Sequence, residues 1–269
     1  MTVVRSVVGP RVFLASLRIT VLQFLADPQW IIGSAAAPVV FALTAFEIYR
    51  FSSPTLVLFS ILGGGMMSMW AQTLYGSGWA TSQDRFLGTL EPTLGAPVGY
   101  VWVVAGRVVW NTISGLLGGA LVFGVVALAY GRPLPVKDPA LFAVLFVVVM
   151  LALSTVGLLF TALFVFSRYA GFVQNIGEFT FYVITGCMFP ILILPFWTLP
   201  FSLAFPATWA LEALRAATFP SYGGLSWGVA GDLVGTLALS LAYVVASWGL
   251  YRWVVRYLSD KGGGTADDY

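Results

Sequence analysis

The sequence predicts an all-α polytopic membrane protein, and two observations support this prediction. Of the 269 residues, 59% are hydrophobic and only 9% are charged. The mean hydropathy is +0.92, and the apolar residues form long runs that charged residues rarely interrupt. Soluble domains carry much more charge than this, so composition places most of the chain within a lipid bilayer.

Six stretches are long and apolar enough to cross a bilayer. A spanning helix needs about 20 mostly apolar residues, because the hydrocarbon core is about 30 Å thick. We expect the third and fourth stretches, which are longer than this, to tilt or to project from the membrane. The six spans belong to one transmembrane domain over residues 1–260, followed by a glycine-rich, acidic tail at 261–269 that we expect to be disordered. The predicted spans are 30–49, 56–79, 98–130, 140–166, 172–189 and 227–248.

The segment 7–27 precedes the first span and has a different pattern. At 100° per residue its apolar side chains fall on one arc, while Arg11, Arg18 and other polar residues lie off that arc. This pattern is typical of a helix that lies in the membrane interface and does not cross it. The apolar arc consists of Phe13, Leu14, Leu17, Val21, Phe24 and Leu25.

The distribution of basic residues predicts the orientation in the membrane. Six spans place both termini on the same side. Cytoplasmic termini put nine of the thirteen basic residues inside and four outside, as the positive-inside rule favours. The loop between the second and third spans is then cytoplasmic. The four outer residues are Arg50, Arg132, Lys137 and Arg215.

The outer segment at 190–220 combines many prolines with Phe, Leu and Trp. Irregular backbone at membrane depth is tolerated only where protein or a water-filled cavity satisfies its polar groups. We therefore expect one or two short re-entrant helices there.

Several classes of function are excluded by composition. The chain has no histidine and one cysteine, Cys187, so a zinc site, a disulfide and a Cys–His nucleophile are not expected. Neither lysine lies in a phosphate-binding glycine motif, and no basic surface for nucleic acid is predicted. We expect no catalytic residue, metal or cofactor in this chain, and any dependence on ATP must come from a partner.

The cytoplasmic stretch SQDRFLGTLEPTLGAP at 82–97 holds three charges in a chain that otherwise avoids them. Thr81 and Asp84 have the spacing of a capping box, and apolar residues follow at helical spacing. A short surface helix over 81–94 is therefore predicted. Pro92 should end this helix near Glu91 or stand in the first turn of a second one.

This stretch also resembles a motif of ABC-2 type transporter permeases, in which an acidic-basic pair precedes Gly-Thr-Leu-Glu, a proline and a Gly-Arg at the base of the third span. The order of elements is similar as well, and FPATWALEALR resembles the pattern before the family's last span. Pro92 departs from the usual motif. The matching residues are Asp84, Arg85, Gly88, Thr89, Leu90, Glu91, Pro97, Gly106 and Arg107.

The resemblance implies an ABC exporter. The 81–94 helix would be the coupling helix that seats in an ABC ATPase subunit, and 7–27, with Arg11 and Arg18, would be the elbow helix. Two ATPase copies would hold the ATP and magnesium, and a second permease, identical or homologous, would complete the complex in a bacterial cytoplasmic membrane. The expected cargo is a hydrophobic or amphipathic drug, lipid or lipid-linked glycan. The outer segment, with Pro190, Pro206 and Arg215, would be the gate.

The charged residues of the sequence allow other interpretations as well. The charges at 84–91 could be solvated loop charges that obey the topology rule. Glu178, with Gln174 and Asn175 one turn away, could be satisfied across a helix interface or could serve a gradient-driven transporter as a substrate or proton site. An integral-membrane enzyme is disfavoured, because no carboxylates converge and histidine is absent.

Overall fold

The computed structural model describes the chain except for residues 1, 27, 50, 52–53, 95–99, 132–135, 137, 166–169, 188–189, 220–221, 223, 226 and 261–269. Within the described residues the regular structure is helical and includes no strand. The α-helices are α1 (Thr2–Ala26), α2 (Pro28–Tyr49), α3 (Pro54–Phe86), α4 (Leu90–Leu94), α5 (Val101–Tyr130), α6 (Pro139–Phe164), α7 (Ala170–Ile184), α8 (Leu199–Leu203), α9 (Pro206–Thr218) and α10 (Gly228–Asp260). Two 3-10 turns, Ile191–Ile193 and Phe196–Thr198, precede α8.

Three helices are long and apolar enough to cross a membrane. Among the described residues these are Val101–Ala129, Pro139–Phe164 and Gly228–Trp253. They correspond to the third, fourth and sixth predicted spans, and they make the chain a multi-pass membrane protein. The other three spans fall on α2, α3 and α7, and their crossing of the membrane stays a prediction.

The fifth predicted span, 172–189, differs from the helix found there. Helix α7 has 15 residues, which is about 22 Å of rise and less than the hydrocarbon core. The helix ends because the chain turns at Gly186, whose φ is +79°, a left-handed conformation that only glycine adopts readily. Composition alone had extended this span through the apolar residues after the turn.

The helix found at the sixth predicted span, 227–248, is longer than that span. Helix α10 continues to Asp260 and has 33 residues, about 50 Å of rise. That is longer than the hydrocarbon core is thick, so part of α10 extends beyond it. Arg252, near the end of the helix, places its guanidinium 5.1 Å from the centre of the Trp248 ring.

Helix α3 lies at the centre of the bundle and contacts α2, α5, α6 and α7. Its middle turns are almost entirely buried, with Trp70 and Met69 at most 1% exposed. Close approach to α5 depends on paired glycines: a Cβ added to Gly119 would lie 3.3 Å from the carbonyl oxygen of Gly65. Small residues of this kind let two helix backbones approach closely.

Helix α1 packs along the first part of α5 with only part of the apolar arc predicted for 7–27, including Phe24. Ser16, off that arc, is buried and its hydroxyl donates to the carbonyl oxygen of Val103 at 2.7 Å. Leu14 and Leu25, on the arc, are each 60% exposed. The helix thus contacts α5 through both Ser16 and Phe24. The Gly106 position allows the two backbones to approach, while Leu14 and Leu25 stay exposed.

Candidate functional site

The 81–94 segment consists of two pieces, where one helix was predicted. Thr81 is fully buried inside α3, so it does not cap a helix. Helix α3 ends at Phe86, the chain reverses at Gly88 with φ of +67°, and α4 begins at Leu90. The amide of Thr89 donates to the carbonyl of Asp84 at 2.8 Å, which closes the turn.

Pro92 is the third residue of α4. An amide in the first turn has no partner within the helix, so proline costs little there. Of the two positions predicted for Pro92, the structure therefore shows the second: Pro92 stands in the first turn of a second helix. The side chain of Glu91 and residues 95–97 of the motif lie outside the described part of the chain.

The carboxylate of Asp84 is held by Arg107 on α5. Two hydrogen bonds join the side chains, at 2.6 and 3.0 Å, in the bidentate geometry that makes Arg–carboxylate pairs strong. The two side chains are 15% and 19% exposed. The pair fastens the end of α3 to the beginning of α5.

Arg85 points to a different helix. Its guanidinium donates to the carbonyl oxygen of Val165, the residue that follows the last turn of α6. Burial lowers the pKa of Arg85, and the nearby Tyr100 offsets part of that effect. A carbonyl at a helix C-terminus has no partner within its own helix, so Arg85 satisfies it and ties α3 to α6.

Leu90 anchors the second piece. It is 6% exposed and belongs to an apolar cluster with Tyr100, Val104, Val165 and Tyr251. The Tyr251 hydroxyl donates to the carbonyl of Leu158 at 3.2 Å. The beginning of α4 is therefore packed on residues from α5, α6 and α10 together.

The surface of the 81–94 segment is apolar where it projects. Phe86 is 88% exposed and Leu87 is 65% exposed, and Gly88, Thr89 and Pro92 beside them are exposed as well. The sequence singled out the charged residues, but Asp84 and Arg85 bond within the chain. We call Phe86, Leu87, Thr89 and Pro92 the exposed tip.

The two basic residues of the predicted elbow helix, Arg11 and Arg18, are exposed on α1. The helix itself packs against α5. Ser16 meets Val103, and the ring of Phe24 lies 5.4 Å from that of Trp110 in an edge-to-face contact. Helix α1 is thus attached to the same helix that receives Asp84.

A second buried charge cluster lies in the segment that is predicted to be on the outer side. Arg215 on α9 is 1% exposed, and its guanidinium is 3.2 Å from the carboxylate of Glu212. Its other nitrogen donates to the carbonyl oxygens of Gly186 and Cys187 after α7. The guanidinium also lies 5.0 Å from the centre of the Phe59 ring on α3. One side chain thus joins α9 to α7 and α3.

Tyr222 completes this cluster. Its hydroxyl lies 2.8 Å from both oxygens of Glu212, and burial, followed by the charge of Glu212, raises its pKa. The sequence predicted Arg215 as a residue of the gate, but Glu212 was not predicted. The available signal was an acidic residue three positions before an arginine on an otherwise apolar helix.

The two prolines of the predicted gate start structural elements. Pro190 precedes the first 3-10 turn, and Pro206 is the first residue of α9 and is buried. The prolines thus divide the outer segment into short helical pieces.

Glu178 finds a partner within its own helix. The Tyr182 hydroxyl, one turn further along α7, donates to its carboxylate. The side chains of Gln174 and Asn175 lie outside the described part of the chain. No group of three or more potential metal ligands occurs among the described residues.

Together these features define the class of protein to which the chain belongs. The chain is a multi-pass helical membrane protein in which one irregular turn between α3 and α5 is cross-linked to three helices. A sequence model of the family described as ABC-2 type transporter matches residues 11–219. The match spans well over half of the chain, so the chain belongs to the ABC-2 type transporter family. No curated protein matches it.

The family has direct consequences for this chain. The chain is the permease part of a transporter, and this part is generally not catalytic. Membership in the family also implies association with an ABC ATPase subunit. The matched region includes the greater part of α1, the 81–94 segment, and Glu212 and Arg215 of α9.

Proposed function

We propose that the chain is the membrane-spanning subunit of an ATP-driven ABC exporter. It forms the path for a hydrophobic or amphipathic substrate and is driven by a separate ATPase that holds the ATP and magnesium. Family membership supports a transporter component, and the lack of a phosphate-binding motif supports an ATPase in a partner. Two ATPase copies and a second permease, identical or homologous, complete the complex in a bacterial cytoplasmic membrane, with cytoplasmic termini.

The exposed tip is the observation that carries this proposal. Large apolar side chains that project at a turn mark contact sites for another protein. Phe86 is among the most exposed large side chains described, and the turn that presents it is fixed by Asp84 and Arg85. The tip therefore supplies the contact with the ATPase, while the charges hold the tip in place.

Force on the tip reaches three helices. The Asp84–Arg107 pair passes a displacement to α5, Arg85 passes it to α6, and α3 carries it directly. ATP-bound ATPase shifts the permease only if it binds one permease conformation better than the other. The rigid cross-links make the position of the tip depend on the arrangement of these helices, which is the coupling that such a shift requires.

The outer cluster is the proposed gate. Helix α3 extends from the tip to Phe59, which contacts Arg215, so movement of α3 reaches the outer segment between Pro190 and Arg215. Because Arg215 also binds the carbonyls after α7, α3, α7 and α9 would shift together when the outer side opens.

Substitution of the tip tests this proposal. When the chain is co-expressed with a candidate ABC ATPase, Phe86→Asp should abolish co-purification of the ATPase, because a charge replaces the apolar contact. Phe51→Asp is the matched control, since Phe51 is 85% exposed and precedes the opposite end of α3. Retention of the ATPase by Phe86→Asp, or equal loss from both variants, would contradict the role of the tip.

A gradient-driven transporter that uses Glu178 is the alternative. Tyr182 already supplies a hydrogen-bond partner to this carboxylate, which favours a pairing role. Loss of ATP separates the two functions, since transport by a gradient-driven protein survives it.

A further inference from the structure

Helix α10 carries a buried acidic side chain, Asp232, near its beginning. Asp232 is the fifth residue of the helix and is 2% exposed. Its Oδ1 atom is buried and has no hydrogen-bond partner among the described residues. Most buried polar side-chain atoms in proteins have at least one such partner. The state of this carboxyl group therefore needs a physical explanation.

Asp232 lies beside the outer cluster of Glu212, Arg215 and Tyr222. Helices α9 and α10 pack against each other. A Cβ added to Gly235 of α10 would lie 2.6 Å from the ring of Trp209 on α9. Asp232 is one turn before Gly235, and Glu212 is one turn after Trp209. Two helices that run in opposite directions bring these two acids together, and the two carboxyl groups interact electrostatically.

The charged neighbours of Asp232 already have other partners. Arg215 pairs with Glu212 and donates to carbonyl oxygens after α7, and the Tyr222 hydroxyl lies within hydrogen-bonding distance of Glu212. Helix α6 also packs on α10, and it contains no charged or titratable residue. Within the described part of the chain, Asp232 thus has an anion beside it but no cation bonded to its Oδ1 atom.

An ionised carboxylate is unfavourable in these surroundings. A charge that is removed from water without a bonded partner favours the neutral form of its group, and a second negative charge nearby has the same effect. A divalent metal ion would need about six oxygen ligands, and no group of three or more candidate ligands occurs among the described residues. A proton neutralises the carboxylate without a cavity or further ligands.

We propose that Asp232 is a proton-binding site, and that its carboxyl group holds one proton from the surrounding water at neutral pH. The outer cluster then contains one buried anion, Glu212, and one buried cation, Arg215, beside a neutral acid. Loss of the proton would place a second negative charge next to Glu212 and weaken the contact between α9 and α10. The assignment depends on contacts within the chain, so it does not depend on the ATPase partner.

Infrared spectroscopy of the full chain in lipid nanodiscs tests the site. A protonated carboxyl group has a C=O stretching band that an ionised carboxylate lacks. At neutral pH the original chain should show this band, and Asp232→Asn should lose the intensity of one carboxyl group. Asp138→Asn is the matched control, because Asp138 is exposed at the N-cap of α6 and asparagine caps a helix equally well. This control should keep the full band.

Two infrared results would overturn the proposal: a band that is unchanged in Asp232→Asn, or no band in the original chain. Unfolding in detergent at neutral pH is the second measurement. Asparagine has the shape of a protonated aspartate and no charge, so the unfolding equilibrium constant of Asp232→Asn should be equal to or lower than that of the original chain. A variant that is strongly destabilised, or that does not fold, would mean that the ionised form is required and would contradict the site.

Discussion

Asp84 and Arg107 show why individual charges occur in so apolar a chain. Each lies on a different helix, each is mostly buried, and each supplies both hydrogen-bonding atoms that the other needs. A charge removed from water is tolerated when it is paired in this way. The charge thus fixes the relative position of α3 and α5.

The strength of this pair can be measured by a double-mutant cycle. Asp84→Asn and Arg107→Gln should each lower the free energy of unfolding, and the double variant should lose less than their sum, with a coupling of about 1–3 kcal/mol for charge-assisted bonds. Thermal or denaturant unfolding in detergent measures these changes. Arg18→Gln, at an exposed arginine of α1, should change little, and strict additivity of the two substitutions would argue against the pair.

For single residues, the sequence predicted which positions are structurally important better than it predicted what each side chain does. Its motif located Asp84, Arg85, Gly106 and Arg107, which the structure brings to the same end of the bundle. It assigned Asp84 and Arg85 to a partner, because pairing across 23 residues is not visible in local spacing. The exposure of Phe86 was equally hidden, since helical periodicity assigns such a residue to a buried face.

Helix α9 is positioned by a single buried cation. Arg215 contacts groups on α9, on α3 and after α7, and Glu212 and Tyr222 complete its surroundings. Pro206 begins α9, and the carbonyls that Arg215 binds lie at the turn around Gly186. Sequence reading predicted short helical pieces here from the prolines, but it could not predict which charges meet.

Arg215→Met should be strongly destabilising. It leaves the fully buried Glu212 without its cation, and breaking a buried pair in this way costs about 3–5 kcal/mol of unfolding free energy. Arg215→Met combined with Glu212→Gln should recover much of the loss, because the uncompensated charge is removed. Unfolding of the purified variants measures both, and an Arg215→Met variant as stable as the original chain would contradict the buried pair.

The whole molecule was predictable in class but not in detail. Apolar runs predict the helical membrane fold, and the three described helices that are long and apolar enough to cross a membrane match predicted spans. Helix ends were less accurate, because the limits of α7 and α10 depend on a left-handed glycine and on packing of the last turns.

The central claim at this scale is that the exposed tip is the contact through which ATP drives the permease. The most direct measurement is photo-crosslinking with benzoylphenylalanine in place of Leu87, which is 65% exposed, in membranes that contain the ATPase. We predict an adduct with the ATPase whose yield changes when ATP is added, and none when the same probe replaces Phe51. An ATPase adduct from position 51, with none from position 87, would contradict the account.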